Sequence, residues 1–423
     1  MRKMKDSGIE WLGEIPSHWK SMPIGALFHE IRTQNVLGSE KKALQFKMGS
    51  IVPKNNFDAD VEDYVANTIT SYTLVDYGTI MINGLNLNFD FVTQRVALVK
   101  DKGAITSAYM AIKANDLNQM EPEYSTYLLK TYDNCKAFHN MGGGVRKILN
   151  FDELRRSYII VPPVDEQKKI ADYLDAKCSE IDALVADIQA QIETLEQYKR
   201  STVIETVLKG LKPGLPTKDS KIDWVGAIPS HWNTHPMYYY FEERKHSNSL
   251  GEENNLLSLS YGKVIRKDIN TNGGLLPNNF NTYNIIEKDD IVLRLTDLQN
   301  DRRSLRTGIS KERGIITSAY VTLRATKVLN AQYFYYLLHA YDLMKVLYNM
   351  GSGVRQGLNY EELSKMMLIE PLLDEQNEIA TFLDKKCDEI NACIEAKKEQ
   401  IATLEAYKKS IIFEYVTGKK EVE

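Results

Sequence analysis

The chain has 423 residues, of which 43% are hydrophobic and 26% charged, and its formal net charge is −4 at pH 7. This length and composition are typical of a folded protein with more than one domain and exclude a disordered chain. No apolar run is long enough to span a membrane and the first residues lack the apolar core of a signal peptide, so we expect a cytoplasmic protein without membrane contact.

The sequence is a tandem repeat. Residues 6–19 recur at 219–232 with 10 of 14 positions identical, and residues 165–208 recur 209 residues later with 22 of 44 identical. The segments 26–102 and 239–313, by contrast, share almost no identities that can be aligned by eye. A duplicated scaffold with two different inserts is typical of a protein that presents two binding surfaces, and it is unusual for an enzyme with duplicated active sites.

The first part of the chain, residues 1–164, is predicted to be a mixed α/β domain. Strand-like runs occur at 78–82, 94–99 and 106–112. Residues 121–138 have helical spacing. Asn150 is predicted to cap a further helix, because a Glu follows three positions later.

Residues 165–209 are predicted to form one long helix, because apolar or small residues alternate at steps of four and three without Pro or Gly until Gly210. The predicted seam of a coiled coil consists of Leu174, Cys178, Ile181, Val185, Ile188, Ile192 and Leu195. The Gly and Pro residues of 210–221 predict a linker.

The second half repeats this order. Residues 222–373 are predicted to form a second α/β domain, with strands at 290–295 and 317–324, a helix at 330–348 and a helix cap at Asn359. Residues 374–418 are predicted to form the second long helix, which ends near Gly418. Its seam consists of Leu383, Cys387, Ile390, Ile394, Ile401 and Leu404, and Lys397 interrupts it.

We therefore expect an α+β protein in which two mixed α/β domains are separated by two long helices, with pseudo-two-fold symmetry. The helices would pair as an antiparallel coiled coil, since a lone helix of about 66 Å needs a partner for its apolar stripe. The alternative is that each helix packs separately on its own domain. Residues 165–208 and 374–417 together carry a charge of −9, which leaves +5 for the rest of the chain.

Motifs for catalysis are absent from the sequence. Residues 142–147 and 351–356 lack the GK[ST] end of a P-loop, and 161–164 lacks the polar and aromatic residues expected of an adenine methyltransferase motif. Neither HExxH nor GxSxG occurs. The four cysteines match no disulfide framework or zinc pattern, so we predict no metal in this chain. Because the catalytic motifs tested above do not occur, we also predict no catalytic residue.

Candidate contacts to an anionic partner lie in the two α/β domains. The glycines of 142–144 and 351–353 precede Arg146, Lys147 and Arg355, an arrangement that suits either phosphate contact or a tight turn with positive φ. The basic run at 294–313 is typical either of a segment that follows a DNA backbone or places Arg against guanine edges, or of a solvated charged loop. The candidate DNA-binding residues are Arg95, Lys102, Arg146, Lys147, Arg294, Arg302, Arg303, Arg306, Arg313 and Arg355. The Tyr-rich stretches 238–240 and 333–336 favour core packing over base stacking.

The residues that carry the repeat resemble a known family, the specificity subunits of Type I restriction-modification systems. The resemblance rests on the segment 11–19 (WLGEIPSHW) and on the approach to the first long helix, with Pro162, Asp165-Glu166-Gln167, Ile170-Ala171 and Leu174-Asp175. The second copy matches at Trp224, Gly226, Ile228-Pro229, His231-Trp232, Pro371, Asp374-Glu375-Gln376, Ile379-Ala380 and Leu383-Asp384, and differs by Val225 in place of Leu12. The resemblance covers essentially the whole chain.

This resemblance implies a non-catalytic subunit that binds double-stranded DNA at a bipartite target. Each domain would recognise one half through the major groove, and differing domains imply an asymmetric target. DNA methyltransferase (M) subunits with S-adenosylmethionine and restriction (R) subunits with ATP and Mg would be the partners, and this chain itself would bind no cofactor. The alternatives are a helical protein scaffold without DNA specificity and a stand-alone methyltransferase or nuclease.

Overall fold

The computed structural model of the protein describes residues 2–47, 49–54, 68–143, 147–268, 279–298, 301, 305–350 and 357–422. The chain forms two compact units. Unit 1 comprises Met1–Ile188 with Glu399–Glu423, and unit 2 comprises Gln189–Lys398. Because these boundaries fall inside the two long helices, each unit contains one copy of the α/β repeat and one end of each helix.

The described strands of unit 1 are short and pair in antiparallel fashion. They are β1 (Met4–Asp6), β2 (Glu14–Pro16), β3 (Lys20–Pro23), β4 (Phe28–Glu30), β5 (Leu44–Lys47), β6 (Ser50–Pro53), β7 (Thr73–Val75), β8 (Ile80–Ile82), β9 (Val96–Leu98), β10 (Gly103–Ile105), β11 (Met110–Ala114) and β12 (Tyr158–Val161). A four-stranded sheet has the order β4-β11-β8-β9, and the other strands form the pairs β1-β2, β3-β12, β5-β6 and β7-β10.

The described strands of unit 2 have the same order. They are β13 (Thr217–Asp219), β14 (Ala227–Pro229), β15 (Asn233–Pro236), β16 (Phe241–Glu243), β17 (Leu257–Ser260), β18 (Lys263–Arg266), β19 (Asn284–Ile286), β20 (Ile291–Leu293), β21 (Thr307–Ile309), β22 (Gly314–Ile316), β23 (Val321–Ala325) and β24 (Met367–Glu370). The four-stranded sheet is β16-β23-β20-β21, with pairs β13-β14, β15-β24, β17-β18 and β19-β22.

The helices complete both units. They are α1 (Ile24–Leu27), α2 (Pro122–Asn134), α3 (Phe151–Leu154), α4 (Val164–Lys209), α5 (Ala331–Leu343), α6 (Tyr360–Leu363) and α7 (Leu373–Val416), with 3-10 turns at Ile69–Ser71, Ala137–Asn140, Met237–Tyr239 and Val346–Asn349. The caps expected at Asn150 and Asn359 are confirmed, since each forms a capping box with the Glu three residues later. Within the described residues, no helix combines the length and apolarity needed to cross a membrane.

The described strands of the divergent segments recur in the same order in both repeats. Strands β7–β11 recur as β19–β23 at a constant offset of 211 residues, with the same pairing, although their sequences do not align by eye. Burial explains this, because an antiparallel strand requires only apolar residues of compatible size on its inner face. Ile80 and Ile82 pair with Leu98 and Val96, and Ile291 pairs with Ile309, all buried or nearly so.

The hydrophobic core of each unit uses both long helices. In unit 1, Leu174 and Ile181 of α4 join the core together with Ile412 and Val416 from the end of α7. In unit 2, Val203 and Val207 from the end of α4 pack in one cluster with Leu383 from the beginning of α7. The core of each unit therefore contains the beginning of one long helix and the end of the other.

The helices α4 and α7 run antiparallel. In unit 1 the rings of Tyr173 and Tyr415 lie 4.4 Å apart. In unit 2 the Lys199 ammonium donates to Asn391 Oδ1 at 2.8 Å. Residue numbers thus increase in opposite directions along the two helices. The alternative, in which each helix packs separately on its own domain, is not supported.

The predicted seam is the inner stripe of this pair. Leu174, Cys178, Ile181, Ile192, Leu383, Cys387, Ile390 and Ile394 are buried, and Val185, Ile188, Leu195, Ile401 and Leu404 are half-buried. Lys397, which interrupts the pattern, is accommodated because its ammonium donates to Gln191 Oε1 on the facing helix. Both helices end at a glycine with positive φ, since Gly210 has φ of 76° and Gly418 has φ of 71°.

Candidate nucleic-acid interface

A 13-residue loop, residues 83–95, connects β8 to β9 in unit 1, and the Arg95 side chain closes it from inside. Arg95 is 1% exposed. Its Nη1 donates to the carbonyls of Asn83 at 3.0 Å and Leu85 at 2.7 Å, and its Nη2 donates to the carbonyl of Asp90 at 2.6 Å. Its backbone N–H donates to Asp133 Oδ2 of helix α2 at 2.8 Å. A buried guanidinium thereby finds acceptors within its own loop.

Arg306 occupies the same place in unit 2, at the end of the 13-residue connection between β20 and β21. It is fully buried, and Nη1 donates to the carbonyls of Arg294 at 3.1 Å and Thr296 at 2.8 Å. Its Nη2 donates to the carbonyls of Asp297 and Asp301, and its backbone N–H donates to Asp342 Oδ2 at 2.7 Å. The two arginines are structural equivalents.

Arg95 and Arg306 were expected to contact DNA, and the structure places both in the protein interior. The reason is that each loop turns three or four backbone carbonyls inward, and these carbonyls replace the water around the guanidinium. Counting positive charges along the sequence does not distinguish an inward from an outward arginine. The prediction that these two residues contact DNA directly is therefore corrected. They organise the loop instead.

Two other candidates, Lys102 and Arg313, lie at the surface. Lys102 of unit 1 is exposed, between β9 and β10, and Arg313 follows at the offset of 211 residues, between β21 and β22. Arg313 is 51% exposed and its guanidinium pairs with Glu253 Oε2 at 3.0 Å and Glu287 Oε1 at 2.9 Å. Arg294 lies 3.7 Å from a carboxylate oxygen of Asp301. Arg146, Arg302, Arg303 and Arg355 lie outside the described residues.

The glycine turn of unit 1 has a conformational requirement. Gly142 has φ of 87°, and a Cβ at this position would lie 2.9 Å from the carbonyl oxygen of Ile148. Lys147 is half-buried, its ammonium donates to the His139 carbonyl at 3.4 Å, and its own carbonyl accepts from the Leu87 N–H at 3.1 Å. The turn therefore contacts the loop at 83–95, and the turn interpretation of its first glycine is supported. Contact of the turn with phosphate stays a prediction.

The sequence analysis missed the apolar surface of the loop at 83–95. Phe89 is 73% exposed, Phe91 is 53% exposed and Val92 is 92% exposed. The turn beneath them is fixed by Asp90, whose carboxylate accepts the N–H groups of Val92 and Thr93. Hydrogen bonds from Thr93 lower the pKa of Asp90 to about 2. The available sequence signal was the presence of large apolar residues among Asn and Gln inside a segment that diverges between the repeats.

The tyrosine stretches lie mainly in the core of unit 2. Tyr240, Tyr333 and Tyr336 are buried, whereas Tyr238 is 61% exposed. Tyr336 donates its hydroxyl to Asp384 of helix α7 at 2.7 Å, as Tyr127 does to Asp175 of helix α4 in unit 1 at 2.6 Å. Core packing, favoured by the sequence, is confirmed for these buried rings.

The repeated WLGEIPSHW-like motif attaches each domain to the first turn of a long helix. In unit 1, Trp19 Nε1 donates to Glu166 Oε2 at 2.9 Å, and His18 Nε2 lies 2.6 Å from Glu166 Oε1. Burial raises the pKa of the Glu166 carboxyl, but hydrogen bonds from His18, Trp19 and Arg2 outweigh it, so that the pKa is lowered. In unit 2, Trp232 Nε1 donates to Glu375 at 3.1 Å.

The glutamine that follows each of these glutamates holds the preceding loop. Gln167 is buried, its side-chain N–H groups donate to the carbonyls of Gln119 at 2.7 Å and Pro162 at 2.9 Å, and its Oε1 accepts from the Glu121 N–H. Gln376 makes the matching contact to Pro371 at 3.0 Å. Among the described residues, no group of three or more His, Cys, Asp or Glu side chains is placed to hold a metal ion.

Comparison with known proteins identifies the repeat. The family described as Type I restriction modification DNA specificity domain matches residues 18–194 and again residues 252–403. A Methanocaldococcus jannaschii protein provisionally named type I restriction enzyme MjaX specificity subunit is 25% identical over 425 residues, which cover 97% of this chain and 96% of that protein. The MjaVIII specificity subunit of the same organism is 25% identical over 76% of this chain and 75% of its own length.

Solved structures share the fold. A chain from work on the complex assembly and conformational transition of the type I R-M system matches with a TM-score of 0.68 and 15% identity, over 96% of this chain and 99% of that chain. The HsdS subunit from Thermoanaerobacter tengcongensis matches with a TM-score of 0.50 and 15% identity, over 96% and 98% of the two chains. Two copies of the family domain, together with this shared fold, place the chain in the family of type I restriction-modification DNA specificity domains, as a DNA-target-recognition subunit that is not itself an enzyme.

Proposed function

We propose that the chain recognises a bipartite and asymmetric DNA target. Residues 1–164 and 222–373 act as recognition domains, and each contacts one half-site through the major groove. The helices at 165–209 and 374–418 act as spacers that set the length of DNA between the half-sites, and residues 210–221 act as a linker.

One observation carries this proposal: the two units have the same strand order and pairing, but the loops on that frame differ in sequence. The loop at 83–95 presents Phe, Val and Gln side chains, whereas the equivalent segment, 294–306, contains Arg294, Arg302 and Arg303 besides the buried Arg306. Apolar groups contact the thymine methyl, Gln pairs with adenine, and Arg pairs with guanine. Two loops of different sequence on a common frame therefore favour two different half-sites.

The partners proposed are double-stranded DNA, DNA methyltransferase (M) subunits and restriction (R) subunits. S-adenosylmethionine, ATP and Mg would bind to those partner subunits, and this chain would only position them on DNA. Support comes from the relatives, which are specificity subunits of type I restriction enzymes, and from a fold neighbour taken from work on the assembly of the type I R-M system.

Eight basic residues are proposed to contact the DNA backbone. They are Lys102, Lys147, Arg146, Arg294, Arg302, Arg303, Arg313 and Arg355. Phosphate contacts position a protein on the duplex without carrying sequence information, so single substitutions to Gln should weaken binding to all sequences alike. Each lost contact should also reduce the slope of log affinity against log salt by about 1.

Selection of bound duplexes from a random library, with the full chain and its methyltransferase subunits, tests the function. We expect two conserved blocks separated by a fixed number of unspecified base pairs, with binding that weakens steeply as salt rises. Absence of any selected sequence would favour a scaffold without DNA specificity. Methylation or cleavage by this chain alone would favour a stand-alone enzyme.

A chimera tests the assignment of one half-site to each unit. Residues 241–325 are replaced by residues 28–114, so that both units carry the same strands and loops on the retained helices. Because the units share strand order, the chimera should fold. The selected target should become symmetric, with the half-site of unit 1 appearing twice. An unchanged asymmetric target would contradict the assignment.

An insertion tests the spacer helices. Seven residues, one heptad, are added near the middle of both α4 and α7, which preserves the seam. The added length of about 10 Å corresponds to about three base pairs of DNA. The half-sites should stay unchanged while the spacer between them changes, and an unaltered spacer length would contradict the proposal.

A further inference from the structure

The thirteen-residue loops at 83–95 and 294–306 are identical at three positions only. These are Leu87 and Leu298, Asp90 and Asp301, and Arg95 and Arg306. Leu87 is 1% exposed and Leu298 is fully buried. The carbonyls of Asp90 and Asp301 are the acceptors of the arginine Nη2 in their units. The shared residues are therefore those that fix the backbone of the loop, and the other ten differ.

The shared arginine fixes the geometry of the loop rather than a surface charge. Its guanidinium, at the end of the loop, binds carbonyls from the beginning and the middle of the loop, at Asn83, Leu85 and Asp90 in unit 1. These carbonyls face the interior, where an unpaired acceptor is unfavourable. A planar guanidinium has five N–H donors in a fixed arrangement, whereas a lysine ammonium has three donors around one nitrogen. Lysine cannot reach the same set of carbonyls at once.

The side chains that point away from this anchor are those that vary. In unit 1, Phe91, Val92, Thr93 and Gln94 are exposed in succession, directly before the anchor residue Arg95. Arg95 also binds helix α2 through its backbone N–H, which connects the loop to the rigid part of the unit. A base contact requires placement of a side chain to within a fraction of an ångström, and a 13-residue loop without an anchor would not provide it.

We propose that Arg95 and Arg306 are positioning residues for base recognition, each fixing the loop through which its own unit distinguishes its half-site. This inference rests on the proposed function and adds to it the loop that recognises bases in each unit and the residue that orients the loop. The arginines contact no DNA. In unit 1, Arg95 holds the backbone beneath a run of exposed residues, so these residues can differ in sequence without loss of the loop backbone.

The test uses the full chain with its methyltransferase subunits and a random duplex library. The variants are Arg95→Lys and Arg306→Lys, and each serves as the matched control for the other. Arg95→Lys should reduce discrimination at one half-site at least tenfold and leave the other half-site unchanged, and Arg306→Lys should give the reverse. Affinity for random duplex and thermal unfolding are measured beside the selection, because a merely structural role would lower both together with discrimination, whereas a positioning role lowers discrimination and leaves the affinity for random duplex unchanged.

The outcomes separate the inference from the function it rests on. If the unmodified chain selects no bipartite sequence, the proposed function fails. If it does, but the two variants affect both half-sites equally or neither, the inference is overturned. Should Arg95→Lys fail to fold, the variant Phe91→Ser with Val92→Ser, both exposed, replaces it. That variant must alter the base preference of one half-site only, and an unchanged preference also overturns the inference.

Discussion

Asp182 and Lys408 lie 226 positions apart in the sequence, and the Lys408 ammonium donates to both carboxylate oxygens of Asp182 at 2.6 and 2.7 Å. This ion pair joins helices α4 and α7 within unit 1. It is formed only if the helices run antiparallel, because in a parallel pair Asp182 would face its equivalent one repeat later, Asn391, which lies in unit 2 and 17 residues before Lys408.

The ion pair predicts a coupling between Asp182 and Lys408 in the free energy of unfolding, which reversal of both charges should preserve. Asp182→Lys and Lys408→Asp should each destabilise the chain, and the double variant should recover part of the loss. Because the Asp182 side chain is 63% exposed, we expect a coupling free energy of roughly 0.2–1 kcal/mol that decreases with salt. Urea unfolding of the four proteins measures it, and a coupling of zero at low salt would contradict the pairing.

The glycine that ends α7 predicts a local steric effect. A Cβ on Gly418 would lie 2.5 Å from Pro16 Cδ and 2.9 Å from the Trp19 ring, and φ is 71°. Gly418→Ala should cost about 1–2 kcal/mol for the backbone conformation and about 1–3 kcal/mol for overpacking. Gly214→Ala is the matched control, since its φ is 76° and nothing lies within 4 Å. Equal losses in urea unfolding would show that the contact with Pro16 is unimportant.

Glu121 predicts a pH dependence of stability. Its carboxylate caps helix α2 by accepting the Tyr124 N–H at 2.6 Å. Burial, together with a hydrogen bond involving Glu123, raises the pKa of Glu121 from 4.5 to about 7. The folded state therefore holds this proton more tightly than the unfolded state, so its contribution to stability is present below pH 4.5 and is lost as pH rises towards 7.

The repeat supplies the control for this prediction. Asn330 caps helix α5 in unit 2 through the Tyr333 N–H at 2.9 Å, with a neutral side chain. Glu121→Asn should keep the cap and remove this pH dependence. Thermal unfolding of both proteins between pH 4.5 and 8 should show that their difference in stability grows in favour of the variant as pH rises. Parallel curves would contradict the raised pKa.

Substitution of the glutamates in the first turns of the two long helices should lower the stability by unequal amounts. Each glutamate accepts from a Trp and lies close to a His, Trp19 and His18 for Glu166 and Trp232 and His231 for Glu375. Glu166 also accepts from Arg2, whereas no arginine among the described residues pairs with Glu375. Glu166→Gln should cost roughly 1–2 kcal/mol, because a hydrogen bond to a charged group contributes more than a neutral one. Glu375→Gln should cost less. Denaturant midpoints compare the two, and a larger loss for Glu375→Gln would contradict the role of Arg2.

Much of the fold follows from local sequence patterns. The seam from Leu174 to Leu195 and its copy from Leu383 to Leu404 were visible as steps of four and three, because helix periodicity depends only on neighbours along the chain. The caps at Asn150 and Asn359 were visible for the same reason. The equivalence of β7–β11 with β19–β23 was not visible in the sequence, since these strands share burial and pairing rather than residue identity.

The sequence by itself determined that two copies of one domain alternate with two long helices, and it identified the helix stripe, the caps and the family. Only the tertiary structure decided that Arg95 and Arg306 are buried and that Phe89, Phe91 and Val92 are exposed. The physical reason is that the surroundings of a side chain depend on groups brought together by folding. The carbonyls of Asn83, Leu85 and Asp90 converge on one guanidinium, and no spacing of residues along the chain records that convergence.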